Sequence, residues 1–261
     1  MQEKNQPKVS IITVVYNDVS KIEETILSVI NQQYSNFEYI IIDGGSTDGT
    51  TNIIKKYADK ITYWVSEHDD GIYNAMNKGI DKVSGEWINF MNSGDSFYDT
   101  NVLQNLFELY DNQSSIIYGD SQRFFHYGVY IDKAILSTLA YMPNCHQAFF
   151  VKTSILKNNN FDTGYKICAD AKFFYDAFHN GYKFQHINVI VCNYDNKEGI
   201  SSMNITLQVR EIAQIEKKQK TLKWRISYLI LLSKIYIQKI IPLTWLIKYH
   251  SKNMKKKFAI K

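Results

Sequence analysis

The N-terminal part of the chain alternates between two hydrophobic periodicities, and this alternation constrains the fold more than any other feature of the sequence. Continuous β-branched runs predict buried strands, and apolar residues spaced three or four apart predict helices. The predicted strands are 8–16, 37–42, 61–65 and 86–91, and the predicted helices between them are 20–31, about 49–58 and 72–83. This order is typical of an α/β fold with a mostly parallel, Rossmann-like sheet flanked by helices.

In an open parallel sheet, ligands bind beyond the carboxyl ends of the strands. Several polar or aromatic residues directly follow a predicted strand end, namely Tyr16, Asp43, Glu67 and residues 92–95. We therefore expect a binding site at that edge.

The second half of the chain is less regular. Helices are predicted at 102–109, 168–179 and from 201 to about 220, and short strands at 115–118, 148–151 and 184–192. The three cysteines are odd in number and lack C-x-x-C spacing, which favours buried thiols in a reducing compartment over a disulfide or zinc scaffold. The length of 261 residues fits one catalytic domain, which we assign to 1–215, followed by an extension, 216–261.

The segment from Asp43 to Asp48 reads D-G-G-S-T-D. It contains neither the G-x-G-x-x-G spacing nor a G-K-[ST] sequence, so it predicts no dinucleotide nest and no P-loop. A carboxylate at a strand end can instead accept hydrogen bonds from a base N–H or a ribose hydroxyl. The alternative is an ordinary turn in which Ser46 caps the next helix.

The segment Asn92-Ser93-Gly94-Asp95 follows the fourth predicted strand. Its single carboxylate could hold a divalent cation that also contacts phosphate oxygens, because magnesium and manganese sites often use one or two protein carboxylates. Another Asx/Gly turn is the alternative.

Together these segments resemble the family-2 nucleotide-sugar glycosyltransferases, which have a GT-A fold. The resemblance rests on the order and spacing of K-V-S-I-I-T-V-V-Y-N, D-G-G-S-T-D-G-T, G-I-Y-N-A-M-N-K-G-I and N-S-G-D-S-F. Three later segments, 144–147, 169–174 and 198–201, fit as well, so the match covers about residues 8–202. It is closest to bacterial members that build polysaccharides.

The resemblance implies a role for four residues in particular. Tyr16 would line the nucleotide base, and Asp43 would reach the base or the ribose. Asp95 would be the ligand of Mn²⁺ or Mg²⁺, and Asp170 would be the general base that deprotonates the acceptor hydroxyl. A single base on one face of the sugar implies inversion at the anomeric carbon. The alternative for Asp170 is an acid favoured by its position at a helix N-terminus.

Five further residues are implied less specifically. Glu67 and Asp69 would contact the sugar nucleotide, and Lys78 would face phosphate or lie in solvent. His146 and Gln147 would lie near the diphosphate or the acceptor, with a satisfied polar pair as the alternative.

The sequence departs from the family pattern at two positions. Gly44 stands where the family often has a second acid, and Asp95 is the single acid of the segment 92–95. These departures put metal affinity and base selectivity in question.

The charge is divided unevenly along the chain. Residues 1–216 contain 17 basic and 26 acidic side chains, a net charge of −9, whereas residues 217–261 contain 13 basic side chains and no acidic one. Basic, aromatic and aliphatic residues alternate through 222–261, and the longest uncharged stretches there, 226–233 and 240–247, have eight residues each. A spanning helix needs about 20 apolar residues, so we expect a basic amphipathic helix that lies on a membrane surface. A helix packed on its own domain or in a dimer is the alternative.

The function predicted from the sequence is transfer of a sugar from a nucleoside-diphosphate donor to the hydroxyl of a glycan or polyprenyl-linked acceptor. The expected donor is a UDP-sugar. Residues 1–8 are polar and the following apolar run is short, so no signal peptide is expected. We expect a cytoplasmic protein, peripheral at the inner face of the membrane, and no nucleic-acid partner because the body is acidic. Two other classes remain open, a sugar-nucleotide nucleotidyltransferase and a catalytically silent, membrane-associated sugar-nucleotide-binding module.

Overall fold

The structure is a computed structural model that describes residues 6–126, 128–134, 142, 144–195 and 204–240. Its strands are β1 (Val9–Val15), β2 (Phe37–Asp43), β3 (Tyr63–Ser66), β4 (Trp87–Phe90), β5 (Ser96–Phe97), β6 (Ile116–Phe125), β7 (Gly128–Asp132), β8 (Phe149–Lys152) and β9 (Phe184–Asp195). Its α-helices are α1 (Ile22–Ile30), α2 (Thr50–Lys56), α3 (Ile72–Ile80), α4 (Val102–Leu109), α5 (Thr153–Asn158), α6 (Ala169–His179), α7 (Ile205–Ile215) and α8 (Leu222–Ile240). Short 3₁₀ turns lie at Ala58–Lys60 and His146–Ala148.

The described strands form one sheet in the order β3-β2-β1-β4-β8-β6-β9-β5, with β7 paired to β6. The first four strands are mutually parallel. Val15 lies opposite Asp43, and Asp43 lies opposite Ser66. The carboxyl ends of β1, β2 and β3 therefore meet at one edge, as their position in an open α/β sheet predicts.

The core lies on both faces of this parallel part. All seven residues of β1 are buried, which explains why the strand is rich in Val and Ile and shows no alternation between apolar and polar residues. Ile22, Ile26 and Val29 form the buried face of α1. On α3, a Cβ added to Gly79 would lie 2.6 Å from Ile12, so the glycine allows the helix to approach β1 closely.

The C-terminal half makes the sheet mixed. Strand β8 is inserted antiparallel between β4 and β6, and β5 pairs antiparallel with β9, whereas β6 and β9 are parallel. The α/β fold is confirmed, with parallel pairing among β1 to β4 and again between β6 and β9. Strand β6 continues seven residues beyond its predicted end at Tyr118, because its distal part leaves the core and pairs with β7 as a hairpin.

The C-terminal region forms two helices in the described residues, α7 within the helix predicted from 201 to about 220 and α8 within the predicted extension. Lys217, with φ of 57°, lies between α7 and α8. None of the helices in the described part is both long and apolar enough to cross a bilayer. Residues 241–261 of the predicted extension and the motif 198–201 lie outside the described residues, and the boundary at 215 stays a prediction.

Candidate active site

An exposed tyrosine ring and a carboxylate flank Gly44 at the ends of β1 and β2. Tyr16 is 65% exposed. A Cβ added to Gly44 would lie 2.5 Å from Oδ2 of Asp69 and 3.4 Å from the ring of Tyr16. Asp69 therefore fills the space in which a side chain at position 44 would begin, so a second acid there would require the Asp69 side chain to move.

Asp43 is completely buried at the end of β2 and holds the following loop together. Its carboxylate accepts hydrogen bonds from the backbone N–H groups of Gly45 (3.2 Å) and Ser46 (2.9 Å) and from the hydroxyls of Ser46 and Ser66. The predicted contact with a base or ribose would thus have to use the remaining lone pair of Oδ1, since Oδ2 already accepts three bonds.

Lys78 is engaged by the loop that follows β3. Its ammonium lies 2.8 Å from Oε1 of Glu67 and donates to the carbonyl of His68 at 3.0 Å. The hydrogen bond from Lys78 lowers the pKa of the exposed Glu67 carboxyl. Both predicted residues thus lie beside Asp69 at the same edge, and in this structure Lys78 fixes the loop 66–71.

Asp95 is buried next to the last residue of β9. One carboxylate oxygen accepts the side-chain amide of Gln147, and the other accepts the backbone N–H of Asp195 at 3.2 Å. Burial is the largest influence on this carboxyl and raises its pKa to about 8. Burial makes this carboxylate costly to ionise, so a positively charged ligand beside it would stabilise its ionised form.

The surroundings of Asp95 fit a divalent cation that is completed by a ligand. Asn92 and Gln147 are buried, and each has a side-chain oxygen without a hydrogen-bond partner. Such oxygens are suitable ligands for Mg²⁺ or Mn²⁺. In the described ranges no three His, Cys, Asp or Glu side chains come together as a metal site. A cation here would therefore need phosphate oxygens or water in addition to Asp95.

His146 connects Asp170 to the loop after β4. Its Nδ1 lies 3.0 Å from Oδ2 of Asp170, and its Nε2 lies 3.0 Å from the side-chain amide nitrogen of Asn92. Since an amide nitrogen only donates, Nε2 accepts and Nδ1 carries the proton donated to Asp170 in the neutral ring. Burial opposes the charged ring, but the hydrogen bond and charge of Asp170 raise the pKa of His146.

Asp170 lies in the first turn of α6 and is 7% exposed. Its Oδ1 accepts the hydroxyl of Tyr73 at 2.8 Å and the backbone N–H of Ala171 at 2.8 Å. Burial opposes ionisation, but the hydrogen bonds from His146 and Tyr73 and the charge of His146 lower the pKa of this carboxyl. It is therefore ionised at neutral pH.

The dipeptide His146–Gln147 brings the two central acids to one site. His146 contacts Asp170, and the adjacent Gln147 contacts Asp95. The sequence does not by itself predict a role for Tyr73. Its place in the motif G-I-Y-N-A-M-N-K-G-I is the feature that could have indicated one. Asn92 belongs to the segment 92–95 that the sequence indicates, but its contact with His146 is not predicted by the sequence.

Solved glycosyltransferases share this fold. TarS of S. aureus in complex with UDP-GlcNAc matches with a TM-score of 0.66 and 21% identity, over 80% of this chain and 66% of that chain. A mannosyltransferase from Pyrobaculum calidifontis in complex with GDP-Man and Mn²⁺ matches with a TM-score of 0.64 and 16% identity, over 82% and 64%. The chain thus spans about two thirds of the length of these structures.

Curated relatives give the same result at the level of sequence. A PGL/p-HBAD biosynthesis glycosyltransferase of Mycobacterium bovis is 29% identical over 207 residues, 75% of this chain and 80% of the relative. An uncharacterized glycosyltransferase of Mycobacterium tuberculosis is 31% identical over 183 residues, 64% and 67% of the two chains. The model of Glycosyl transferase family 2 matches residues 10–182. The chain therefore belongs to glycosyltransferase family 2.

Proposed function

We propose that the protein transfers a sugar from a UDP-sugar to the hydroxyl of a glycan or polyprenyl-linked acceptor, with inversion at the anomeric carbon. The observation that carries this proposal is the link from Asp95 through Gln147 and His146 to Asp170. This link holds Asp95, which can bind a cation, and Asp170, which can accept a proton, at one edge of the sheet. Glycosyl transfer needs both, because the leaving diphosphate gains negative charge while the attacking alcohol loses a proton.

Asp170 is the proposed general base. Three hydrogen bonds fix its carboxylate, and one lone pair on Oδ2 is left for the proton of the acceptor hydroxyl. The acceptor oxygen then attacks the anomeric carbon as the bond to the diphosphate breaks on the opposite face. One displacement of this kind inverts the configuration. His146 stabilises the carboxylate before the transfer and orients it through Nδ1.

Asp95 is the proposed protein ligand of Mn²⁺ or Mg²⁺. When bound, the cation supplies positive charge to the diphosphate leaving group. Asn92, in the loop after β4, and Gln147, in the turn before β8, have unpartnered side-chain oxygens and support the assignment. The mannosyltransferase from Pyrobaculum calidifontis has Mn²⁺ in its donor complex, which supports a metal in this family member as well.

The proposed site for the nucleotide base is the ring of Tyr16 beside Gly44. Asp69 would accept a base N–H or a ribose hydroxyl there, while Asp43 shapes the loop and approaches the base through Oδ1. Glu67 and Lys78 would contact the donor from the loop 66–71. UDP is proposed as the nucleotide because TarS is bound to UDP-GlcNAc and shares the fold.

The test is a panel of UDP-, GDP- and dTDP-sugars, each incubated with MnCl₂, MgCl₂ or EDTA and assayed for the released nucleotide. We expect metal-dependent release of UDP from one UDP-sugar. Asp170→Asn should lower turnover by about 10²- to 10⁴-fold, the usual contribution of a general base, while UDP still binds. Asp176→Asn is the matched control, because Asp176 is a second aspartate of α6 and forms an ion pair with Lys172 instead of contacting His146.

Three outcomes would contradict this proposal. Release of pyrophosphate from UTP and a sugar 1-phosphate, in a parallel reaction, would identify a nucleotidyltransferase. Binding of UDP with Mn²⁺ without turnover on any donor would identify a binding module. Equal turnover of Asp170→Asn and the wild type would remove the assigned base.

We also propose that α8 attaches the protein to the cytoplasmic face of an anionic membrane. Leu222, Ile226, Leu229 and Ile230 are at least 50% exposed, and their spacing places them on one face of the helix. Lys223 and Arg225, both exposed, lie on either side of this face. An apolar face between basic side chains fits the interface of an anionic bilayer. The opposite side of α8 contacts α7, where Arg210 lies over the ring of Tyr228 at 5.9 Å.

Sedimentation with vesicles containing phosphatidylglycerol tests the attachment. Ile226→Glu together with Leu229→Glu should abolish co-sedimentation at physiological salt, because each change places a negative charge in the apolar face. Leu109→Glu is the control, since Leu109 is 58% exposed on α4, away from the tail. Undiminished co-sedimentation of the double variant would contradict the proposal, and a dimer in solution that the double variant disrupts would indicate a protein interface.

A further inference from the structure

Helix α7 lies beyond the segment 10–182 that matches the family model, yet it contributes a buried carboxylate to the start of α6. Glu211 is 6% exposed. Its carboxylate accepts the backbone N–H groups of Lys166 at 2.8 Å, Ile167 at 3.1 Å and Cys168 at 2.9 Å. One side chain thus binds three consecutive peptide groups.

These three residues lead directly into the helix that carries Asp170. Cys168 is the N-terminal cap residue of α6, and its side chain makes no capping hydrogen bond. Cysteine is not among the residues that cap helices well, and a negative charge is stabilising near a helix N-terminus. Glu211 therefore supplies from α7 an anionic hydrogen-bond acceptor to the three residues that lead into α6, at the end of the helix where Asp170 lies.

We propose that Glu211 is a positioning residue for Asp170. Its hydrogen bonds fix the backbone of residues 166–168, and Asp170 follows two residues later. Tyr73 and His146 orient the carboxylate itself, so the side chain and the backbone of Asp170 are held by different elements. The inference rests on the proposed role of Asp170 as the base, and it extends the catalytic unit to the C-terminal helix α7.

The variant Glu211→Gln tests the proposal in the full-length chain. Glutamine keeps the length of the side chain but has only one acceptor oxygen. Its NH₂ group would face backbone N–H groups of residues 166–168, which would then lose their acceptor. Glu216→Gln is the matched control. It makes the same substitution five residues later, at a glutamate that forms an ion pair with Lys218. The measurements are kcat, the donor KM, the affinity for UDP, and the ring ¹⁵N signals of His146, which report its hydrogen bond to Asp170 without substrate.

We expect Glu211→Gln to lower kcat by about 10- to 100-fold, because a misplacement of about 1 Å in a catalytic group can cost 10²-fold. The donor KM and UDP affinity should stay within twofold of the wild type, and the His146 signals should shift. Glu216→Gln should change none of these. A lower unfolding temperature with unchanged kcat and unchanged His146 signals would show that Glu211 only stabilises the fold, and the proposal would be wrong.

The two proposals can fail separately. If the wild type transfers no sugar but Glu211→Gln still shifts the His146 signals, the assigned reaction is wrong and the positioning of Asp170 stands. If the wild type is active and Glu211→Gln neither slows turnover nor shifts the signals, the positioning role is wrong and the reaction stands.

Discussion

Replacing Asp95 by asparagine should change the stability of the metal-free protein, and the difference from the wild type should move in favour of the variant as the pH rises. Burial raises the pKa of this carboxyl from the ordinary value of 3.8 to about 8. Between these two values the folded chain binds a proton that the unfolded chain has released. The free energy of unfolding contributed by Asp95 is therefore greatest below pH 3.8 and is lost as the pH rises through 8.

The magnitude follows from the two pKa values. Each pKa unit corresponds to about 1.4 kcal/mol, so the contribution of Asp95 falls by about 3–4 kcal/mol between pH 5 and pH 8. Asparagine is neutral at both values and still accepts the amide of Gln147. Its NH₂ group would face the backbone N–H of Asp195, at a cost of about 1–3 kcal/mol that does not depend on pH. The difference in stability between variant and wild type should thus shift by about 3–4 kcal/mol in favour of the variant.

Urea unfolding in EDTA at pH 5 and pH 8 measures this shift for the wild type and Asp95→Asn. Asp176→Asn, which replaces a half-exposed acid in an ion pair with Lys172, serves as the control, and its difference from the wild type should not show a comparable shift between the two pH values. Mn²⁺ with UDP should stabilise the wild type and not the asparagine variant, because the cation requires the carboxylate. An equal stability difference at the two pH values would refute the reasoning about Asp95.

Two further variants test individual contacts. Gly44→Ala should fold, because its Cβ meets the free end of the Asp69 side chain, but it should weaken UDP binding, measured calorimetrically, by about tenfold or 1.4 kcal/mol; wild-type affinity would show that Asp69 does not contribute there. Tyr73→Phe removes a hydroxyl that lowers the pKa of Asp170, so the acid limb of the kcat profile should move to higher pH and kcat should fall. An unchanged profile would mean that Tyr73 does not act on the base.

Much of the fold could be predicted from local patterns. The runs that form β1 and β2 are rich in Val and Ile because both faces of these strands are buried, and α4 begins and ends where its pattern predicted. Prediction was weakest where an element is short or leaves the core. The two residues of β5, the six-residue α5 and the surface hairpin of β6 with β7 carry too little periodicity to be recognised.

The candidate site was only partly predictable for a different reason. The sequence pointed to Asp95, Asp170 and His146 as separate motifs, but it did not indicate how they contact one another. Tyr73 and Asp170 are 97 residues apart, and Glu211 reaches residues 166–168 from 43 to 45 residues away. Such contacts depend on which strands become neighbours, and local periodicity does not encode that.

The sequence by itself determined the family, the α/β alternation and the basic C-terminal segment, because these depend on residues close together in the chain. Only the tertiary structure decided that Asp69 fills the space beside Gly44, and that His146 and Gln147 join Asp170 to Asp95. The insertion of β8 between β4 and β6 brings His146 and Gln147, which directly precede β8, to the loop after β4. The physical reason is that hydrogen bonds act over about 3 Å, so their partners are fixed by the packing of distant segments and not by sequence spacing.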